Sequence, residues 1–199
     1  MSEIEAVYEL IATLALDRRM GVLMLLLVFA AISDIKTGRI PNWLVFGGAL
    51  YGIVYNTLFP LYRHDIGILF ALGGLALGLA ALLPVYLFRA LGPGDVKLMA
   101  MVGAFIGAKA TFGAVLSTFL VGGLLAVAIA LWSRRLSRMV GNVTMMFRGT
   151  MLTFATGMGG LTGHDGPSAG RMPYGVAIAL GTIAYLTLTH LGLIGGIWS

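Results

Sequence analysis

The chain has 199 residues, 59% of them hydrophobic and only 11% charged, with a net charge of +5 and a mean hydropathy of +0.96. A water-soluble domain of this size would leave too much apolar surface in water, so a polytopic helical membrane protein is expected. The absence of cysteine excludes disulfides, thiolate metal sites and a cysteine nucleophile.

Residues 3–16 place Ile4, Val7, Tyr8, Ile11 and Leu14 at helical spacing. This predicts an amphipathic helix lying on the membrane, or an extension of the first span. The first span is about 20–33. Asp34 ends it and is followed by Lys36, Thr37, Gly38, Arg39, Ile40, Pro41 and Asn42. Further spans are expected at about 42–61, 66–88, 96–108, 111–132 and 172–194. Pro84 is a candidate kink in the third. The run 96–108 is short, since a crossing takes about 20 residues. It either starts from a recess below the membrane surface or is supported by neighbouring helices.

Residues 133–148 carry Arg134, Arg135, Arg138 and Arg148 and read as a solvated or headgroup-contacting segment. Residues 149–171 are mixed and end in a loop by composition, containing His164 and Asp165. The expected fold is therefore all-α: one membrane-embedded domain over 1–199, with an amphipathic segment at 1–19 and a bundle of about six transmembrane helices at 20–195. Glycine, 29 of 199, lies largely inside the apolar runs and suits close helix packing.

Basic residues fix the expected orientation. Lys36, Arg39, Arg89, Lys97, Arg134, Arg135, Arg138, Arg148 and Arg171 fall on one face, nine of the 13 Lys and Arg. Arg18, Arg19, Arg63 and Lys109 fall on the other. The positive-inside rule puts the first face in the cytoplasm. The net positive charge marks these loops and no nucleic-acid surface, since no basic run is interleaved with base-stacking aromatics. Asp34 and Asp95 both come out on the cytoplasmic side.

Those two aspartates need a reason. A charged aspartate at membrane depth costs about 2.5–3.5 kcal/mol on insertion scales. Two carboxylates at ~4 Å with an effective dielectric of ~20 repel by roughly 4 kcal/mol, so one of the pair holds a proton near neutral pH. That state suits aspartic proteolysis, in which one carboxylate activates a water and the other donates to the carbonyl oxygen. It needs no metal and no cofactor.

The flanking residues suit this chemistry. Gly92 and Gly94 permit a tight turn and a close substrate, and Pro93 stiffens it. Asp95 falls at a helix start, where the dipole favours the ion. Pro41 ends the helix carrying Asp34, and Asn42 caps the next. Lys97 either screens the pair or anchors to headgroups. Alone, each aspartate reads as a cap or salt-bridge partner. The combination is what points to catalysis.

The stretch Ser33-Asp34-Ile35-Lys36-Thr37-Gly38-Arg39-Ile40-Pro41-Asn42-Trp43 resembles the first-aspartate motif of the type IV prepilin peptidases. Leu91-Gly92-Pro93-Gly94-Asp95-Val96-Lys97-Leu98 resembles their G-x-G-D-x-K-L motif. Met172-Pro173-Tyr174-Gly175-Val176-Ala177 resembles the segment opening their last helix. The resemblance runs from about residue 20 to 185.

It implies a membrane-embedded aspartic endopeptidase with Asp34 and Asp95 as the catalytic pair. It implies removal of the basic leader from prepilins or pseudopilins, at the cytoplasmic face of a bacterial inner membrane. Pro173, Tyr174 and Gly175 either line the substrate cleft or form a helix start with a packed tyrosine. The longer family members carry a cysteine-rich insert and also N-methylate the trimmed pilin. This chain has neither those cysteines nor room for the insert. It resembles the short, peptidase-only members of tight-adherence (Flp-type) pilus systems, with no zinc and no methyltransfer expected.

Two other classes remain. A transporter or ion-pathway component predicts acids deep within spans and often inverted repeats. A non-catalytic subunit of a pilus or secretion assembly predicts that Asp34 and Asp95 tolerate change.

Overall fold

The computed structural model describes residues 18–60, 66–88, 91–132 and 174–193. The expected amphipathic helix at 3–16, Arg63, the arginine segment at 133–148, the expected loop with Asp165, and Pro173 lie outside them. Two units are distinguished. One comprises Met1–Gly122 with Pro173–Ser199, the other Gly123–Met172. Of the second, the described part is the last stretch of a helix that ends at Trp132.

Among the described residues the structure is all helical. The helices are α1 (Arg18–Thr37), α2 (Asn42–Leu58), α3 (Gly67–Leu87), α4 (Pro93–Trp132) and α5 (Tyr174–His190). Against about six expected spans, three helices are long and apolar enough to cross a membrane: Arg18–Thr37, Gly67–Leu87 and Pro93–Ala128. α2 and α5, with 17 residues each, are shorter. α1 shows why this is a membrane fold. Leu23, Leu27, Ala30 and Asp34 fall on one buried face, while Leu25, Val28, Phe29 and Ile32 on the opposite face are exposed. A helix apolar on both its inner and outer faces suits lipid as solvent.

α4 is not one crossing. Gly107 has φ 77 and ψ 171, a non-helical conformation reserved for glycine. It divides α4 into a short arm, 93–106, and a return arm from 108. Their directions follow from their neighbours. The short arm runs parallel to α2, with Gly48 against Met101 and Gly52 against Ala104 and Phe105. It runs antiparallel to α3, with Gly74 against Gly103 and Gly78 against Met99.

Over residues 108–122 the return arm runs antiparallel to α5. Gly113 meets Tyr185, Thr118 meets Gly181, and Gly122 meets Tyr174 and Ala177. Tyr174 also lies within electrostatic reach of Asp95. A straight helix would hold residues 95 and 122 about 40 Å apart. The chain therefore doubles back at Gly107. This break falls within the short 96–108 run and close to its expected end.

The short arm is the centre of the bundle. Residues 98–107 are all buried. That explains a run with no polar face, because a helix apolar all round is surrounded on all sides. The arm is about 21 Å long, short of the ~30 Å hydrocarbon core. A broken backbone at such depth is tolerated only inside protein that satisfies its polar groups. Here Thr111 Oγ1 donates to the Gly107 carbonyl at 2.6 Å. Asn56 Nδ2 donates to the carbonyls of Ala104 at 2.8 Å and Phe105 at 3.3 Å.

Backbone-to-backbone contact sets the closest approach. A Cβ on Gly103 would fall against the carbonyl oxygen of Gly74, which cannot yield without parting the helices. Gly103→Val is expected to cost about 3 kcal/mol or more through overpacking. Thermal aggregation of the detergent-solubilised protein reads this out. A wild-type melting curve would contradict the packing.

Candidate active site

The helix carrying Asp34 stops at Thr37. Gly38 adopts a left-handed φ of 62 and returns its N–H to the Asp34 carbonyl at 2.8 Å. Glycine is the usual residue for this position. Ser33 Oγ donates to the Arg39 carbonyl at 2.9 Å, and Thr37 Oγ1 does so at 3.1 Å. These bonds fix the turn into Pro41. Two expectations change here. Gly38, not Pro41, terminates the helix. Pro41 itself is the N-cap residue of α2, with no side-chain cap bond. Asn42 is thus the first helical residue and does not cap.

Gly94 lets the turn after α1 reach the start of α4. A Cβ there would lie 3.3 Å from Cβ of Ile40. Pro93 opens α4, and Asp95 sits in its first turn. The Gly92 N–H donates to Asp95 Oδ2 at 3.0 Å, and the Asp95 N–H donates back to the Gly92 carbonyl at 3.2 Å. This reciprocal pairing resembles a capping box, with an aspartate in the place of the usual glutamate. It commits one carboxylate oxygen of Asp95 to the backbone.

Asp34 is held in a related way from another helix. The N–H of Gly175, at the start of α5, donates to Asp34 Oδ2 at 2.7 Å. The backbone N–H of Val176 adds a weaker electrostatic attraction. The helix N-terminus offers unpaired N–H groups and a favourable dipole to an anion. Asp34 and Asp95 are each 8% exposed, and Asp95 lies within electrostatic range of Asp34. The α1 turn, the α4 start and the α5 start thus meet at one end of the bundle.

Tyr174 is half-buried there, beside Asp95. Its hydroxyl oxygen would lie 3.3 Å from a Cβ on Gly122. Lys97 points elsewhere. Its Nζ donates to Asn42 Oδ1 at 3.1 Å and sits 5.3 Å from the centre of the Phe46 ring. Among the described residues no ion pair joins it to either aspartate, so Lys97 does not screen the pair by direct contact.

The sequence reading missed Gly122, Ile40 as the packing partner of Gly94, and the grip of α5 on Asp34. It also counted Arg19 among the bases exposed on the face opposite the two aspartates. Arg19 is in fact 4% exposed and donates from Nη1 to Asn56 Oδ1 at 3.0 Å. The base count on that face is weaker by one. The signal available was a lone amide, Asn56, inside an apolar helix.

The model of the type IV leader peptidase family matches residues 21–127, more than half of the chain. The chain belongs to this family. As a type IV leader peptidase it is a hydrolase, with prepilins as the general substrate class, and its apolar helices mark it as a membrane protein. The matched segment contains both aspartates and ends before α5. Comparison with the curated proteins and with the solved structures gave no match.

Proposed function

We propose that this leader peptidase is an aspartic endopeptidase whose reacting groups are Asp34 and Asp95. One observation carries the reading. Two buried carboxylates from separate helices lie within electrostatic range of each other at one end of the bundle, each with Oδ2 held by a backbone N–H. The backbone bonds fix both side chains against rotation. Mutual repulsion of the two charges is relieved when they share one proton.

The ionised member takes a proton from water as its oxygen attacks the scissile carbonyl carbon. The protonated member donates to the carbonyl oxygen, giving a tetrahedral diol. Proton transfer to the amide nitrogen then breaks the C–N bond and frees the leader's new carboxyl end. No metal or cofactor takes part. The substrate is a prepilin or pseudopilin with a basic leader, cut at the cytoplasmic face of a bacterial inner membrane, as in Flp-type pilus assembly. The break at Gly107 supports counting α4 as two crossings, for six in all. A transporter would place its acids mid-membrane, whereas Asp34 lies in the last turn of α1 and Asp95 in the first turn of α4.

The supporting roles are narrower. Gly92 and Gly94 shape the turn that presents Asp95. Tyr174 borders the cleft and hydrogen-bonds the extended substrate. Tyr174→Phe keeps the ring and removes the hydroxyl. One lost hydrogen bond of about 1 kcal/mol predicts a drop of about fivefold in cleavage of a membrane-inserted prepilin. Full activity in Tyr174→Phe would leave the ring as packing only. The reading as a whole is tested by co-expressing the chain with a candidate prepilin and following the precursor's size. Asp165→Asn, a loop change, is expected to leave processing intact.

A further inference from the structure

The short arm of α4 must hold Asp95 at the right height beside Asp34, yet the surface it turns to α3 is unusually smooth. Gly74 and Gly103 meet backbone to backbone. Gly78 packs on the Met99 carbonyl, whereas on the α2 face the side chains of Met101 and Phe105 lie over Gly48 and Gly52. Helices usually lock in register because side-chain ridges sit in facing grooves. Where glycine faces glycine there are few ridges, and sliding along the axis meets little resistance. The α3 face therefore does little to set the arm's axial position, and the task falls to α2.

α2 supplies a fixing point at each end of the arm. At the Asp95 end, Asn42 Oδ1 accepts a hydrogen bond from Lys97. At the far end, Asn56 Nδ2 spans the carbonyls of Ala104 and Phe105, which lack helical partners because the helix breaks at Gly107. Asn56 is 1% exposed, and its oxygen is occupied by the buried Arg19 guanidinium. The Arg19 bond fixes which way the amide faces, so that its N–H donors point to the arm. It also places positive charge near the arm's C-terminus, where the helix dipole favours it.

We propose that Asn42 and Asn56, the latter oriented by Arg19, are positioning residues. α2 pins the short arm at both ends and so sets how closely Asp95 approaches Asp34. The inference rests on the reading of Asp34 and Asp95 as the reacting pair. Asn56 does not touch the reacting atoms and acts through a rigid helix of about 21 Å. A small axial slip is enough to matter, since a misplacement of about 1 Å can cost about 100-fold in rate.

The chain has no cysteine, so introduced pairs report on separation cleanly. One pair is Asp34→Cys with Asp95→Cys. The control pair is Gly122→Cys with Ala177→Cys, which joins the return arm to α5 without involving the short arm. Each is placed in the full chain in membranes and bridged with a short bifunctional thiol reagent.

Adding Asn56→Asp keeps a partner for Arg19 but removes both donors to the arm. It is expected to change the 34–95 bridging rate at least threefold and leave the 122–177 rate unchanged. Asn42→Ala, at an exposed contact, is expected to act in the same sense, and it decides the matter if Asn56→Asp does not accumulate. Unchanged 34–95 bridging in the variants would overturn the inference and leave the aspartic reading standing. So would equal changes in both pairs, which mark general loosening. If the 34–95 pair fails to bridge in the otherwise unaltered chain, the paired-aspartate reading falls first and takes the inference with it.

Discussion

Asp34→Asn and Asp95→Asn are each expected to lower prepilin cleavage by at least about 1,000-fold. Positioned proton transfer contributes about 100- to 10,000-fold, and an amide neither accepts a water proton nor donates an acidic one. The asparagine side chain keeps the shape and can still accept the Gly175 or Gly92 N–H through its oxygen. The protein should therefore accumulate as the wild type does. The double variant should be no worse than either single one, because the two groups act as a unit. Substantial processing by either single variant would remove that residue from the chemistry.

The second large effect is expected at a residue with no side chain. A Cβ on Gly175 would lie 2.8 Å from Asp34 Oδ2 and 3.1 Å from its Cγ. The atoms in the way are those of the Asp34 side chain, down to its Cβ at 3.2 Å, and not backbone. Gly175→Ala should thus displace the Asp34 carboxylate rather than unfold the bundle. It also crowds the N–H bond that holds that carboxylate. A shift of several tenths of an ångström to 1 Å predicts a loss of about 100-fold. Melting temperature should stay close to wild type. Full activity in Gly175→Ala would show that the α5 start does not set the Asp34 position. A protein that melts much earlier would assign Gly175 to packing instead.

Much of this arrangement was legible in the sequence, for physical reasons that differ by element. The helices of the bundle announce themselves because lipid demands long apolar runs. The two aspartates stand out because charge is expensive at the edge of such runs. The helix start before Asp95 is legible because Gly92-Pro93-Gly94 interrupts the apolar run and proline suits a first helical turn. Other features were hidden by the same chemistry. Gly107 sits in a chain where Gly103 and Gly113 serve close packing, so composition alone does not single out the glycine that reverses the helix. Its φ of 77 is what separates it.

Arg19 reads in the sequence as the end of the amphipathic segment 1–19, because arginine at the edge of an apolar run usually faces water or headgroups. Its burial depends on Asn56, 37 residues away, and no local pattern carries that. Asn42 follows a proline and has the composition of a cap, yet Pro41 takes the cap position and Lys97 takes the amide. In each case a long-range partner overrode a sound local preference. The grip of α5 on Asp34 belongs to the same class, since it joins residues 141 apart.

The most direct measurement is the intact mass of a candidate prepilin incubated with the full chain in lipid bilayers. The account predicts two products: a short basic leader ending in a free carboxyl group, and a mature pilin beginning just before its hydrophobic helix. It predicts neither product with the Asp34→Asn, Asp95→Asn chain. An uncut precursor with the wild-type chain, across a panel of type IV prepilins, would contradict the account, and so would the same two products from the doubly substituted one.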